Sequence, residues 1–150
     1  MRAVIQRVRR ALVEVDGAEI SSIGPGFLVL IGFRKGDTET RAENLAGRVA
    51  NLRIFEDEAG KMNRSLLEVK GSALVVSQFT LYGDASHGRR PSFTDAEEPA
   101  RARALYEYFV GQLGGLNVPT ASGIFGARMM VTLENDGPVT LILDEGAEYD

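Results

Sequence analysis

Seven consecutive residues, Phe27-Leu28-Val29-Leu30-Ile31-Gly32-Phe33, carry no polar or charged side chain. Gly24-Pro25-Gly26 turns the chain before them, and Gly36-Asp37-Thr38 breaks the run after them. A short run this rich in β-branched and aromatic residues reads as a strand, and apolar side chains at successive positions need cover on both faces. Whatever the fold, something must lie against each side of one sheet. The run is far too short to cross a bilayer, which takes about 20 residues.

Flanking patterns fill in the rest. Val4, Gln6 and Val8 alternate with Ile5, Arg7 and Arg9, and the alternation resumes from Ala11 to Asp16. A strand is expected there, closed by the hairpin signal Asp16-Gly17 and followed by a short strand over Ala18–Ile23. Ala42, Leu45, Ala46, Val49 and Leu52 recur near a 3.6-residue period, which predicts a helix over Thr38–Asn51. Arg53–Glu56 reads as a strand, Met62–Val69 fits neither period, and Ala73–Tyr82 reads as a long strand. A polar loop occupies residues 83–94. Pro99 then opens a second helix whose face is Leu105, Phe109 and Leu113, and Gly114-Gly115 ends it. Pro119–Gly126 reads as irregular. Arg128–Glu134 and Val139–Asp144 read as two last strands around Asn135-Asp136-Gly137-Pro138, and the acidic tail Asp144–Asp150 is expected to fray.

About seven strands and two main helices, with no repeat or linker, predict one α+β domain over residues 1–150. The sheet is expected to be mostly antiparallel and curved around a barrel-like core. Strands apolar on both faces also suit burial against a second copy of the chain.

Composition removes whole classes of chemistry. The chain has no Cys, hence no disulfide, thiol nucleophile or iron–sulfur cluster, and its single His, His87, rules out a His-cluster metal site. No metal or cofactor is expected. The net charge of −4 excludes a general polycation but leaves room for a local basic patch. Charges interrupt the first ten residues too often for a signal peptide, so a cytoplasmic protein without membrane association is expected. Neither GxGxxG, GxxxxGK[ST] nor GxSxG occurs.

Three features remain. In Ser77-Gln78-Phe79-Thr80-Leu81-Tyr82-Gly83, hydroxyls and an amide interrupt an apolar strand just before a glycine. This is either a strand leaving the core or the floor of a pocket, with backbone N–H groups, Gln78 and Thr80 able to hold a polarised carbonyl. Asn135-Asp136-Gly137-Pro138 is either a plain hairpin turn or, because Pro138 lacks a donor, an edge, a bulge or a cis peptide. The basic residues Arg2, Arg7, Arg9 and Arg10, with Arg34, Lys35, Arg89 and Arg90, are either a solvated face or phosphate contacts. A triad of Ser77, His87 and Asp84 lacks the elbow that such geometry needs, and Glu97-Glu98 is explained by the helix dipole.

Taken together, Ile5-Gln6-Arg7-Val8, Gly60-Lys61-Met62-Asn63, Ser77-Gln78-Phe79-Thr80-Leu81, Arg90-Pro91-Ser92-Phe93 and Asn135-Asp136-Gly137-Pro138-Val139-Thr140 resemble the D-aminoacyl-tRNA deacylase family. The Ser-Gln-Phe-Thr and Gly-Pro-Val-Thr segments are its two signatures. The resemblance implies a cytoplasmic homodimer, active at the subunit interface, that hydrolyses the ester between a D-amino acid and the 3′ end of tRNA. It also implies that mischarged glycyl-tRNA is a substrate, and no DNA partner is expected. It assigns Phe79 and Thr80 to catalysis, and Ser77, Gln78, Met129, Gly137 and Pro138 to substrate binding. Gly137-Pro138 would be a cis dipeptide reaching into the partner's site, with Arg7 holding it in place.

The chemistry is coherent with that assignment. Separating mirror images calls for filled space rather than extra contacts, and a Gly-Pro peptide offers a rigid wall. Backbone N–H groups of Phe79 and Thr80 would form the oxyanion hole, and the terminal ribose 2′-OH would help activate water. A Thr80 nucleophile is the sharper alternative, but no base stands near it in sequence. Two rivals stay open: a nucleic-acid-binding module using the Arg2–Arg10 face, and a small-molecule esterase or amidase using Ser77 or Thr80.

Overall fold

The computed structural model describes residues 1–146. Its organising element is β1 (Arg2–Val15), a 14-residue strand with a partner along each edge. Asp16 and Gly17, at φ 51° and 78°, make the two-residue turn that closes the hairpin Val15↔Ala18; positive φ at both positions is what the tight turn demands. The return path is β2 (Ala18–Ile23) and β3 (Gly26–Gly32), which pair with β1 from Val15 back to Arg2. On the opposite edge runs the last strand.

Beyond β3 the sheet becomes parallel. The helix α1 (Glu39–Asn51) carries the chain over to β6 (Ser72–Ser77), and α2 (Pro99–Gly115) carries it on to β7 (Thr120–Ser122). Parallel neighbours need such crossovers, since a tight turn cannot join them. Between α1 and β6 lies a small antiparallel pair, β4 (Phe55–Glu56) with β5 (Met62–Arg64). The sheet curls until its edges nearly meet, where Ser21 Oγ donates to the Ser122 carbonyl at 2.8 Å. Gly26 permits the approach of β3 to β6, because a Cβ there would lie 1.8 Å from the Ser72 oxygen.

The all-apolar run meets its expectation. Phe27, Val29 and Ile31 face α1 and α2, packing in one cluster with Leu45, Val49, Leu105 and Phe109. Leu28 points to the inside of the curl, with Val8, Val13, Leu74 and Val76. The helices match their sequence signals: the Thr38 hydroxyl accepts from the Arg41 N–H, and Pro99 opens α2. The class is α+β with two main helices, and its sheet is mixed, antiparallel around β1 and parallel through β6 and β7.

Several sequence expectations need correction. The strand expected over Ala73–Tyr82 ends at Ser77; Gln78 N–H donates to the Ile31 carbonyl at 2.7 Å, and Phe79–Tyr82 then wind into one 3₁₀ turn. Pairing in Arg53–Glu56 is confined to β4, and Pro119–Gly126 contains β7. The two last strands are one, β8 (Met130–Asp144), antiparallel to β1 at both ends. Between the pairs Gln6↔Thr140 and Val8↔Asn135, β1 advances two residues while β8 advances five, so three extra residues are pushed out. Asp-Gly is therefore part of a wide bulge, not a hairpin. The start of the tail is anchored: Arg2 Nε sits 2.7 Å from Asp144 and Arg48 Nη1 2.8 Å from Glu145. The last part of the tail, residues 147–150, lies outside the described residues.

Candidate active site

A cleft of about 600 Å³ opens where β3 and β6 end. Ile31 and Gly32 from β3 and Ser77 and Gln78 from β6 form its floor. One wall is Phe79 and Phe93, whose rings meet edge to face at 5.1 Å, and the other is Pro99 and Ala102 of α2 with Phe125. Phe79 stays 58% exposed although apolar, which marks it as a ligand-facing side chain rather than a core one. Phe93, Phe125 and the start of α2 had no functional signal in the sequence; they reach the cleft through the crossover of α2, which local patterns do not encode.

Near Phe79 the backbone offers donors. The first hydrogen bond of the 3₁₀ turn runs from Leu81 N–H to the Gln78 carbonyl at 3.2 Å. The amides of Phe79 and Thr80 precede it, in the position where helix-type turns leave donors free. Gly32 sets the turn's height, since a Cβ there would stand 2.7 Å from the Gln78 oxygen.

The Thr80 hydroxyl accepts a hydrogen bond from Gln78 Nε2. Thr80 is exposed and, among the described residues, no carboxylate or imidazole is bonded to it. The sequence-level triad does not assemble either. His87 Nδ1 lies 2.8 Å from Ser86 Oγ, which donates to Asp84 at 2.5 Å, all in an exposed loop. That serine gives its proton to a carboxylate, so the imidazole does not activate it. The Ser86 hydroxyl, then the Ser86 amide, hold the Asp84 carboxyl below its usual range.

Gly137 and Pro138 form a second constellation on the bulge of β8. Their peptide is cis, and both residues are exposed. Arg7 is 5% exposed beneath them. It donates from Nη1 to the Ile54 carbonyl at 2.6 Å and from Nε to the Asp136 carbonyl at 3.2 Å. The amide of Asn135 closes the neck of the bulge: in the orientation that satisfies every partner, its nitrogen donates to the Arg7 and Val139 carbonyls at 3.0 and 3.1 Å, and its oxygen accepts from the Thr140 hydroxyl at 3.1 Å. Sequence reasoning quoted Asn135 without giving it this task. Gly137, at φ 123°, leaves room for the guanidinium, because a Cβ would stand 3.1 Å from Arg7 Nη2.

Within one chain these two constellations stay apart. Gln78 is bonded at Ile31, opposite Ala3, on one flank of β1. The bulge opens on the other flank near Arg7, four residues further, about 13 Å along the strand. Met129 is at a third place, packed inside the curl and filling the space a Cβ on Gly123 would take.

Comparison with known proteins decides the family. The model described as D-Tyr-tRNA(Tyr) deacylase matches residues 4–144. The chain belongs to this family. The D-aminoacyl-tRNA deacylase of Thermomicrobium roseum is 61% identical over 144 residues, spanning 96% of this chain and 94% of that one. That of Aquifex aeolicus is 56% identical, spanning 96% and 97%. Among solved structures, one described as c-Myc DNA Unwinding Element Binding Protein is 42% identical with a TM-score of 0.93, covering 98% of this chain and 100% of that one. A probable eukaryotic D-amino acid tRNA deacylase shares the fold, at 21% identity and a TM-score of 0.82, covering 95% and 97%. Across the deacylase family match lie both constellations, the cleft and the braced Gly-Pro bulge. No helix among the described residues is long and apolar enough to cross a membrane.

Proposed function

We propose that this chain hydrolyses the ester joining a D-amino acid to the 3′ end of tRNA, as a homodimer in the cytoplasm. The names of its 56–61% identical relatives support the reaction. The arrangement of the site rests on one observation: an exposed Gly137-Pro138 tip, braced from below by Arg7 and Asn135, stands remote from its own chain's cleft. A rigid projection with nothing to do at home fits the cleft of a second copy.

In that arrangement the cleft takes the terminal ribose and the aminoacyl group. Amides of Phe79 and Thr80 receive the developing oxyanion, which matters most where water is excluded. The substrate's own 2′-OH, both donor and acceptor, helps orient the attacking water. Ser77 and Gln78 hold the floor, and Met129 backs the partner-facing side of the curl. The partner's dipeptide fills the space an L side chain would need, while a D side chain points out. Glycine has no side chain to reject, so mischarged glycyl-tRNA is cleaved too.

Nucleic-acid binding without catalysis, through the Arg2–Arg10 stripe, is the second reading, and the solved relative described as a DNA unwinding element binding protein motivates it. Internal pairing opposes it here. Arg2 pairs with Asp144, Arg10 with Glu134, and Arg7 and Arg9 with Asp136. Phosphate contacts would have to displace those carboxylates.

The test is release of amino acid from D-Tyr-tRNA, L-Tyr-tRNA and Gly-tRNA, each with and without chelator. Cleavage of the D and glycyl esters alone, insensitive to chelator, supports the proposal. Equal cleavage of both enantiomers removes the wall, and binding without cleavage favours the second reading.

A further inference from the structure

We propose that Arg89 and Arg90, with Lys35, form a phosphate-binding rim that holds the nucleotides preceding the esterified terminal one; this rests on the deacylase reading above. Most of the cations have carboxylate partners: Arg41 with Asp37, Arg48 with Glu145, Arg64 with Glu58 and Arg101 with Glu39, besides the β1 arginines. Lys35, Arg89 and Arg90 have no ion pair among the described residues. A protein of net charge −4 attracts a polyanion through such a local surplus and not through its overall field.

Position makes the surplus useful. Lys35 lines the cleft. Asp84 and Ser92 exchange both backbone hydrogen bonds, at 2.7 and 2.8 Å, which pinches the loop at its base. Phe93 follows at once and packs edge-on against Phe79 in the cleft wall. Gly83 is so close to Phe93 that a Cβ would meet its ring at 2.8 Å. The loop is thus stapled to the cleft's edge, and Arg89 and Arg90 lie exposed near its tip. Its own acid, Asp84, is taken up by Ser86.

The carboxylates near the cleft complete the pattern. Glu97 and Glu98 line it at the start of α2, and Asp95 lies 3.9 Å from Arg34. Anionic groups are disfavoured beside Glu97 and Glu98, while an ammonium is welcome there. A ligand that is cationic at one end and carries phosphates at the other matches a cleft with acids in its lining and free arginines on its rim. An aminoacylated 3′ end has that polarity.

The test compares two substrates, D-Tyr-tRNA and 3′-O-D-tyrosyl-adenosine, which lacks phosphate. The double variant Arg89→Ala/Arg90→Ala should raise KM for the tRNA about tenfold and flatten the salt dependence of kcat/KM by about one log unit per log unit of salt. Cleavage of the nucleoside ester should hold at the wild-type rate. Arg89→Lys/Arg90→Lys, which keeps the charge, should restore most of the tRNA affinity. An unchanged KM and salt slope overturns the rim, as does an equal loss on both substrates, which would mean the loop only shapes the cleft. Failure of the wild type to cleave D-Tyr-tRNA at all overturns the underlying reading instead.

Discussion

Arg7 and Asp136 meet at 3.2 Å, guanidinium Nε to backbone carbonyl, one residue ahead of the exposed Gly137-Pro138 peptide. The same buried guanidinium holds the Ile54 carbonyl at 2.6 Å, so one cation ties the β8 bulge to the segment entering β4. Hydrogen bonds to a charged group each contribute about 1.5–3 kcal/mol, and a buried acceptor left unpaired costs more than a pair never made. Arg7→Ala should therefore lower stability by about 2–4 kcal/mol, read as a fall in the urea midpoint at constant m-value. It should also loosen the tip and let L-Tyr-tRNA be cleaved.

Asn135→Ala separates those two effects. Its amide lies in the neck of the bulge and reaches the Arg7 and Val139 carbonyls and the Thr140 hydroxyl. The loss in stability should be smaller than for Arg7→Ala, about 1–2 kcal/mol. Discrimination should suffer more than turnover: the ratio of D to L hydrolysis falls while kcat on D-Tyr-tRNA stays within a few-fold. A variant with an unaltered ratio would show that the neck does not position the tip.

Thr80→Ala asks whether the hydroxyl reacts. Its bonded neighbour is Gln78, not a base. Backbone donation at Phe79 and Thr80 survives the substitution, so most activity should remain. A loss of about 10³-fold or more in kcat would restore a nucleophilic threonine.

Acid stability has one clear contributor. Glu39 opens α1 and takes a two-pronged contact from Arg101 of α2, at 2.5 and 2.9 Å. That hydrogen bonding, followed by the Glu39 backbone amide, lowers its pKa from 4.5 to about 2. A carboxyl more acidic in the folded than in the unfolded chain stabilises the fold above the unfolded value, and the contribution fades as pH drops from about 4.5 toward 2. Melting temperature measured between pH 2 and 6 should show a shallower acid decline for Glu39→Gln than for the wild type. Parallel curves would mean that the pair is too solvated to matter.

What could be read from residue order was what local chemistry decides. Asp16-Gly17 announces its turn because few other residues adopt its dihedral angles, and Thr38 and Pro99 mark helix starts by the same kind of local rule. The run at Phe27–Phe33 declares burial on both faces, though not which neighbour covers which face. Pairing across the sheet is a long-range matter and misled the reading at two places. Asp136-Gly137 has the composition of a hairpin, yet both arms of β8 find the same partner strand, so the chain bulges and continues. Ser77-Gln78 looks like more strand, yet β3 ends at Gly32 and leaves Phe79 nothing to pair with. Of the candidate site, Ser77, Gln78 and Phe79 do share one cleft. Phe93 and Phe125, distant in sequence, join it only through the tertiary path of the loop and of α2.

The bulge in β8 has a consequence for how this protein can change. Asn135 and Thr140 keep their places against Val8 and Gln6, so the residues ejected between them owe nothing to the ladder. Pro138 can be exchanged without asking the barrel to shift its register. Tolerance of the scaffold and choice of ligand are thus governed by different stretches of one strand, and selection is free to retune the second while leaving the first alone.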